Sequence, residues 1–253
     1  MLLLLNTLFL GKNFLYFSEL ASTNAEAMQL IADFPAEGTV ILADNQTQGR
    51  GQAGTHWETL DGENLTFSLI FYPTFLGLTE AFYLSKMAAV ALHKCLSHVL
   101  SAQKITIKWA NDLNVSDKKI AGILIENQLE GQKIKASVIG IGLNVNQTAF
   151  SPEIAAKTTS FQIETQRQWD REAILVSLLG YMEAEYFSLK KGKYAELDAY
   201  YLSHLLGYQV DRLFSVAGET KSGHVVGVEK SGRLVVAFGE KVERFDIKEI
   251  EWL

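Results

Sequence analysis

The chain has 253 residues, of which 48% are hydrophobic, enough for one large domain with an appendage and a sizeable core. Its formal net charge of -6 argues against a general nucleic-acid binder, because phosphate contacts need a concentrated positive face. A single cysteine, Cys95, excludes an internal disulfide framework and a multi-cysteine zinc site, so nothing asks for an oxidising compartment and a cytoplasmic location is expected.

The apolar opening, Leu2 to Leu10, lacks both a preceding basic residue and a small-residue cleavage site before Lys12. It is far short of the roughly 20 residues a spanning helix needs, so the expectation is a buried strand and no membrane association. Phe14 to Phe17 reads as a strand, and Ser22-Thr23-Asn24 stands where a helix over Ala25 to Ala32 would be capped. Thr39 to Ala43 is a β-branched strand running into the polar segment Asp44 to Gly54, which is expected to be a loop. Leu65 to Tyr72 is a strand stopped by Pro73. Glu80 to Leu100 carries apolar residues at helical spacing (Phe82, Met87, Val90, Ala91, Cys95, Val99). His93 and His98, five apart and without a further partner, are helix histidines rather than metal ligands.

Three strands follow, Ile105 to Lys108, Ile120 to Glu126 and Ile134 to Ile141, with a loop at Asn114 to Lys118 and a turn at Glu130-Gly131. Arg171 to about Leu206 is amphipathic and helical, with a solvated junction at Lys190-Lys191-Gly192-Lys193. From Gly207 the texture changes to short alternating strands with turns at 217–219, 230–232 and 239–240, a small β barrel or meander that must pack on the main body. The expected division is therefore 1–206 and 207–253.

Three motifs carry chemistry, and the expected elements place them at strand ends and connecting loops. They are Gly49-Arg50-Gly51 ending at Trp57, Lys108-Trp109-Ala110-Asn111-Asp112 leading into Lys119-Ile120-Ala121-Gly122, and Gly140-Ile141-Gly142-Leu143-Asn144. Each sets glycine beside a cation, a carboxylate or an amide, the mixture needed to hold a phosphate chain and a metal against bare backbone. Arg50, in a mobile-looking loop, offers a planar cation for carboxylate or phosphate. The loop lacks the strand, helix and downstream acid of a dinucleotide-binding fold, so that reading is rejected. Lys119 follows Asp112 by seven residues, across a tight β connection that brings cation and carboxylate together. A lysine there can neutralise charge developing between an attacking carboxylate and an α-phosphate. Asp112 suits Mg²⁺, which takes one or two carboxylates plus substrate phosphates.

Ser22-Thr23-Asn24, Gln46 with Gly49-Arg50-Gly51 and Trp57, Lys108 to Leu113, Lys119 to Glu126 and Gly140 to Asn146 together resemble, in order and spacing, the motif series of biotin protein ligases. The resemblance covers the whole chain. It implies an α+β fold, a mixed central sheet with helices packed on it as in class II synthetases, plus a small C-terminal SH3-like barrel. It also implies a two-step reaction: biotin attacks ATP to give biotinyl-5'-adenylate and pyrophosphate, and a lysine of a biotin carboxyl carrier protein, an acyl-CoA carboxylase subunit, then takes the biotinyl group. By the same resemblance Lys119, Arg50 and Asp112 are catalytic, and Ser22, Thr23, Asn24, Gln46, Arg50, Gly51, Gln52, Lys119, Gly122 and Leu124 meet biotin. Arg50, Trp57, Lys119 and Asn144 meet ATP or the adenylate, and Asp112 and Asn144 hold Mg²⁺. Ser22 comes too early to leave room for the helix-turn-helix domain of family members that are repressors, so no operator binding is expected. A homodimer through a sheet edge is plausible by analogy. The rivals are a lipoate or octanoate ligase or transferase of the same superfamily and a non-catalytic binder of biotin or a nucleotide. The polar set Ser22, Thr23, Asn24 and Gln46 favours a ureido ring over an acyl chain, and the presence of Lys119 and Asp112 favours an enzyme over a binder.

Two departures stand out. Ala110 replaces a common proline, which alters the rigidity of that turn. Gln52 stands where several family members carry a second arginine that helps retain the adenylate. Biotinyl-adenylate should therefore leave the wild-type protein faster than the Gln52→Arg variant, measured as release of the preformed intermediate; equal rates would refute this.

Overall fold

The computed structural model describes residues 5–100 and 103–253. Its centre is a seven-stranded mixed sheet built from β1 (Phe14–Leu20), β2 (Val40–Gln46), β3 (Leu65–Phe71), β4 (Ile105–Lys108), β5 (Asp112–Val115), β6 (Lys118–Glu130) and β7 (Lys133–Leu143). The strands lie in the order β1-β2-β3-β7-β6-β5-β4. β1 and β2 are parallel and every other pair is antiparallel.

Alternation along the strands sorts residues to the two faces. One face carries Val40, Leu42, Leu65, Phe67, Leu69, Ile123, Ile139, Ile141 and Leu143, all in the main core with the helices α2 (Phe82–Val99) and α5 (Arg171–Lys190). The opposite face carries Ile41, Ile70, Ala136 and Val138, covered by Ala27 of α1 (Thr23–Leu30) and Ile31. Ser22 caps α1, its Oγ accepting from the Ala25 amide at 3.5 Å. Short helices α3 (Pro152–Ala155) and α4 (Phe161–Thr165) precede α5, and α6 (Tyr194–Ser203) follows it across the exposed lysine junction. His93 is buried in α2, with its ring nitrogens 3.1 Å from the Tyr200 hydroxyl and 3.3 Å from the Ile105 carbonyl. Burial, followed by the nearby His204, lowers its pKa to about 4, so it is a neutral, satisfied helix histidine.

Five antiparallel strands follow: β8 (Arg212–Val216), β9 (Glu219–Val228), β10 (Leu234–Phe238), β11 (Lys241–Phe245) and β12 (Ile250–Trp252), ordered β11-β10-β9-β8-β12. This small sheet docks through the turn before β10. Gly232 accepts from Trp109 Nε1 at 2.8 Å, and a Cβ on Gly232 would lie 2.6 Å from the Phe82 ring. Among the described residues no helix is long and apolar enough to cross a membrane.

Three expectations need correcting. Asp44, Asn45 and Gln46 belong to β2 rather than to a loop, because the parallel pairing with β1 continues to Leu20 opposite Gln46. Asn114 and Val115 are in β5, so the expected five-residue loop shrinks to a tight turn at Ser116-Asp117. The expected strand at Leu2 to Leu10 begins outside the described residues, and residues 5–10 are not a strand. The amides of Leu8, Phe9 and Leu10 instead donate to the carboxylate of buried Glu183 on α5, at 2.7 to 3.0 Å. A side chain takes the donors that a ladder would have used.

Glu183→Ala should therefore lower unfolding stability by about 3 kcal/mol, since it leaves buried donors unpaired, while Glu183→Gln should cost less. Denaturant titration measures both; a loss below about 1 kcal/mol for the alanine variant would contradict this account.

Candidate active site

The pairing register places the motifs on one face of the sheet. Thr66 of β3 lies opposite Gly142 of β7, Gly142 opposite Gly122 of β6, and Gly122 opposite Asp112 of β5. In the next row Ser68, Gly140 and Leu124 are in register. Directly opposed residues share a face, so these rows make a floor of small and polar side chains beside α1. Gly140 and Gly142 are thus strand positions of β7, Gly140 inside the strand expected over Ile134 to Ile141 and Gly142 just beyond its expected end. Their bareness has a steric reason: a Cβ on Gly140 would sit 2.1 Å from Asn24 Oδ1, and one on Gly142 would sit 2.3 Å from the Trp57 ring.

Lys119 reaches this floor through a β-bulge. Leu113 pairs with Ala121 but Asn114 pairs with Lys119, so Ile120 is an extra residue in β6. Without it Lys119, an odd three residues from Gly122, would point to the opposite face; the bulge restores the parity. Ile120 goes to the main core, and Lys119 Nζ forms an ion pair with Asp112 Oδ1 at 2.8 Å, a contact without hydrogen-bond alignment. Lys119 Nζ also lies 5.5 Å from the Trp57 ring centroid.

The floor opens into a cleft lined by residues from every motif. Of the residues expected in the site, Ser22, Thr23, Asn24, Gln46, Arg50, Gly51, Gln52, Trp57, Lys119, Gly122 and Leu124 line it. Asp112 and Asn144 do not; Asp112 meets it through Lys119. Asn144 is buried, its Nδ2 donating to the Thr159 carbonyl while Oδ1 has no hydrogen-bond partner among the described residues. The Arg50 loop is pinned as a small hairpin, with Gly51 N donating to Thr55 O at 2.7 Å and Trp57 N to Gly49 O at 3.0 Å.

The hydrogen bonds around α1 leave a defined set of free groups. Gln46 Oε1 accepts from the Thr23 amide (2.7 Å) and hydroxyl (3.1 Å), while its Nε2 has no acceptor among the described residues. Asn24 Nδ2 donates to the Leu124 carbonyl (3.2 Å) and to Glu126 Oε2 (2.8 Å), and its Oδ1 lies 2.6 Å from Ser68 Oγ. Among the described residues, what remains for a ligand is donors at Gln46 Nε2 and the Ser22 hydroxyl and a second lone pair on Asn24 Oδ1.

Several contributors escaped the sequence reading. Ser68 and Thr66 left a trace as hydroxyls at alternate positions of an otherwise apolar strand. The segment 157–161 left none: Lys119 N donates to Lys157 O (2.8 Å), Thr159 N to Lys119 O (2.9 Å), and Phe161 N to Asn144 O (3.2 Å), so it fastens alongside Lys119. Lys108, quoted within its motif but given no role, has its pKa lowered chiefly by burial; Asp112 opposes this, and Lys157 and Lys119 add to it. Lys108 thus feels two further ammonium groups, Lys157 and Lys119, against one carboxylate, a field suited to polyphosphate.

Residues 16–144 match the model of the biotin/lipoate A/B protein ligase family. The chain is 29% identical over 249 residues to the bifunctional ligase/repressor BirA of Bacillus subtilis, covering 98% of this chain and 76% of that protein. It is 35% identical over 161 residues to the biotin–[acetyl-CoA-carboxylase] ligase of Paracoccus denitrificans, covering 61% of this chain and 65% of that protein. The structure of the Aquifex aeolicus biotin protein ligase in complex with biotin and ATP superposes with a TM-score of 0.78 at 24% identity, over 95% of this chain and 98% of that one, which shows a common fold. The chain belongs to the biotin/lipoate A/B protein ligase family.

Proposed function

We infer that this protein is an ATP-dependent biotin–protein ligase, which activates biotin as biotinyl-5'-AMP and passes it to a lysine of a biotin carboxyl carrier protein. The observation that carries the choice of acid is the free hydrogen-bonding set around α1. A cyclic urea presents one carbonyl acceptor flanked by two N–H donors, and Gln46 Nε2, the Ser22 hydroxyl and Asn24 Oδ1 complement it. The dithiolane of lipoate or the tail of octanoate would leave those buried groups unpaired, a penalty that disfavours the lipoate branch. The named ligases among its relatives support the same reading.

The ring would lie near Ser22, Thr23, Asn24 and Gln46, with the acyl chain over Gly122 and Leu124 toward Lys119. The biotin carboxylate oxygen attacks the α-phosphorus of ATP, a P–O bond forms, and the bond to pyrophosphate breaks. Both reactants are anions, so Lys119 acts where their charges meet and Arg50, with Gly51 and Gln52 of its hairpin, closes over them. Trp57, whose buried Nε1 has no hydrogen-bond partner among the described residues, offers a ring face and a donor to the nucleotide. In the second step the amine of the carrier lysine attacks the acyl carbonyl, an amide forms and AMP leaves. Asp112, the ion-pair partner of Lys119, takes the proton of that amine in this reading once Lys119 is engaged with phosphate. Asp112 and the orphaned Asn144 Oδ1 are oxygen donors of the kind Mg²⁺ accepts, and they are the residues that would hold it. The metal would neutralise charge on the polyphosphate. A second copy adding to a sheet edge would meet β1, because β4 is bridged to Leu205 along its outer side.

The test is biotin-dependent ATP–pyrophosphate exchange with Mg²⁺, with lipoate and octanoate as competing acids. Exchange should occur with biotin and fall by about 10²–10³ in Lys119→Ala. Exchange only with the fatty acids would move the protein to the lipoate branch, and none would leave a binding protein. Gly140→Ala should raise the KM for biotin by displacing Asn24 while leaving the KM for ATP within about twofold; equal effects on both would contradict the assignment of Asn24 to the ring.

A further inference from the structure

Asn24 can present either an acceptor or a donor to the cleft, depending on which way its amide is turned, and the two choices select opposite ligands. Its surroundings decide the matter. Nδ2 faces two acceptors, the Leu124 carbonyl at 3.2 Å and Glu126 Oε2 at 2.8 Å. A flipped amide would set its oxygen against both, with the carboxylate as the strongly repelling partner. Ser68 on the other side donates to Asn24 Oδ1 at 2.6 Å and also faces Thr23 Oγ1 at 2.8 Å, so its single proton can turn to Thr23 if the amide flips, whereas the carboxylate has no proton with which to adapt. The main-chain carbonyl is a weaker neutral partner at longer range, so the carboxylate carries most of the bias.

Glu126 is built for that task. It follows Leu124 by two on β6 and lies opposite Val138, so it stands on the same face as the floor but outside the cleft lining. Its second oxygen has a cationic neighbour, Arg50 Nη1 at 3.7 Å. Asn24 itself is buried and confined by the bare Gly140, which leaves the amide the 180° flip as its main alternative.

We propose that Glu126 is a positioning residue that fixes the amide polarity of Asn24, and so makes the cleft select acids whose ring carries an N–H donor. The proposal rests on the cyclic-urea reading of the ligand. Glu126→Gln keeps an acceptor for Asn24 Nδ2, and Glu126→Ala removes it. Because the side chain is 31% exposed, truncation leaves little void.

The experiment compares kcat/KM in ATP–pyrophosphate exchange for biotin and for its cyclic carbonate analogue, in which both ring N–H groups are replaced by oxygen. Wild type and Glu126→Gln should each prefer biotin by about tenfold or more, the scale of a buried hydrogen bond with its unpaired-group penalty. In Glu126→Ala the amide can turn its NH₂ to the ring, and the preference should fall to about twofold or less. A merely structural loss would lower both substrates together and leave the ratio intact. An unchanged ratio in Glu126→Ala, with wild-type exchange present, would overturn this proposal alone; absence of exchange with biotin in the wild type would remove the ligase reading and this one with it.

Discussion

Backbone pairing between β5 and β6 slips by one residue at Ile120, and that slip turns Lys119 toward the face that carries Asp112, Gly122 and the start of α1. Strand geometry has a period of two, so a lysine three residues from Gly122 has no other way to reach the same side. The bulge also feeds Ile120 into the main core, where it is fully buried. The core thus anchors the bulge, and the bulge aims the lysine. The Ile120 carbonyl accepts from Asn144 N at 2.9 Å, so the end of β7 is tied to the same irregularity.

The sheet therefore works as two surfaces with different chemistry. Toward α2 and α5 it is continuous aliphatic and aromatic packing. Toward α1 the apolar cluster stops at Ile70 and Val138, and the next positions along are Ser68 and Gly140, then Thr66 and Gly142. Hydroxyls buried in a sheet are costly unless paired, and each here has a partner: Thr66 Oγ1 donates to Ala43 O at 2.7 Å, and Ser68 lies between Thr23 and Asn24. The pairings hold the recognition groups in one arrangement before any ligand enters, which reduces the ordering cost of binding.

Much of this was legible in the sequence because the relevant signals are local. Ser22, Thr23 and Asn24 are adjacent at a helix start, and a cap must lie beside the first turn. The strands expected over Leu65 to Tyr72 and Ile134 to Ile141 announce themselves by composition, and they fall on β3 and β7. The polar stretch Asp44 to Gln46 misled because parallel pairing with β1 is non-local and overrides a turn-like composition. The reason for the bare positions Gly140 and Gly142 was not legible, because glycine there answers to an approaching Asn24 and Trp57, both distant in sequence. The Lys157 to Phe161 segment was invisible for a related reason: its contribution is backbone hydrogen bonding to Lys119 and Asn144, which side-chain letters do not encode.

The anchoring of the first described residues on Glu183 bears on how the fold can be recombined. Three consecutive amides form a concave cradle of the kind that elsewhere holds a free anion, and here the anion is supplied by a helix more than 170 positions downstream. The opening segment is therefore not a portable module. A chimera that took these residues from one homologue and α5 from another would keep its geometry only if the carboxylate came along, so the two segments must be inherited as a matched pair.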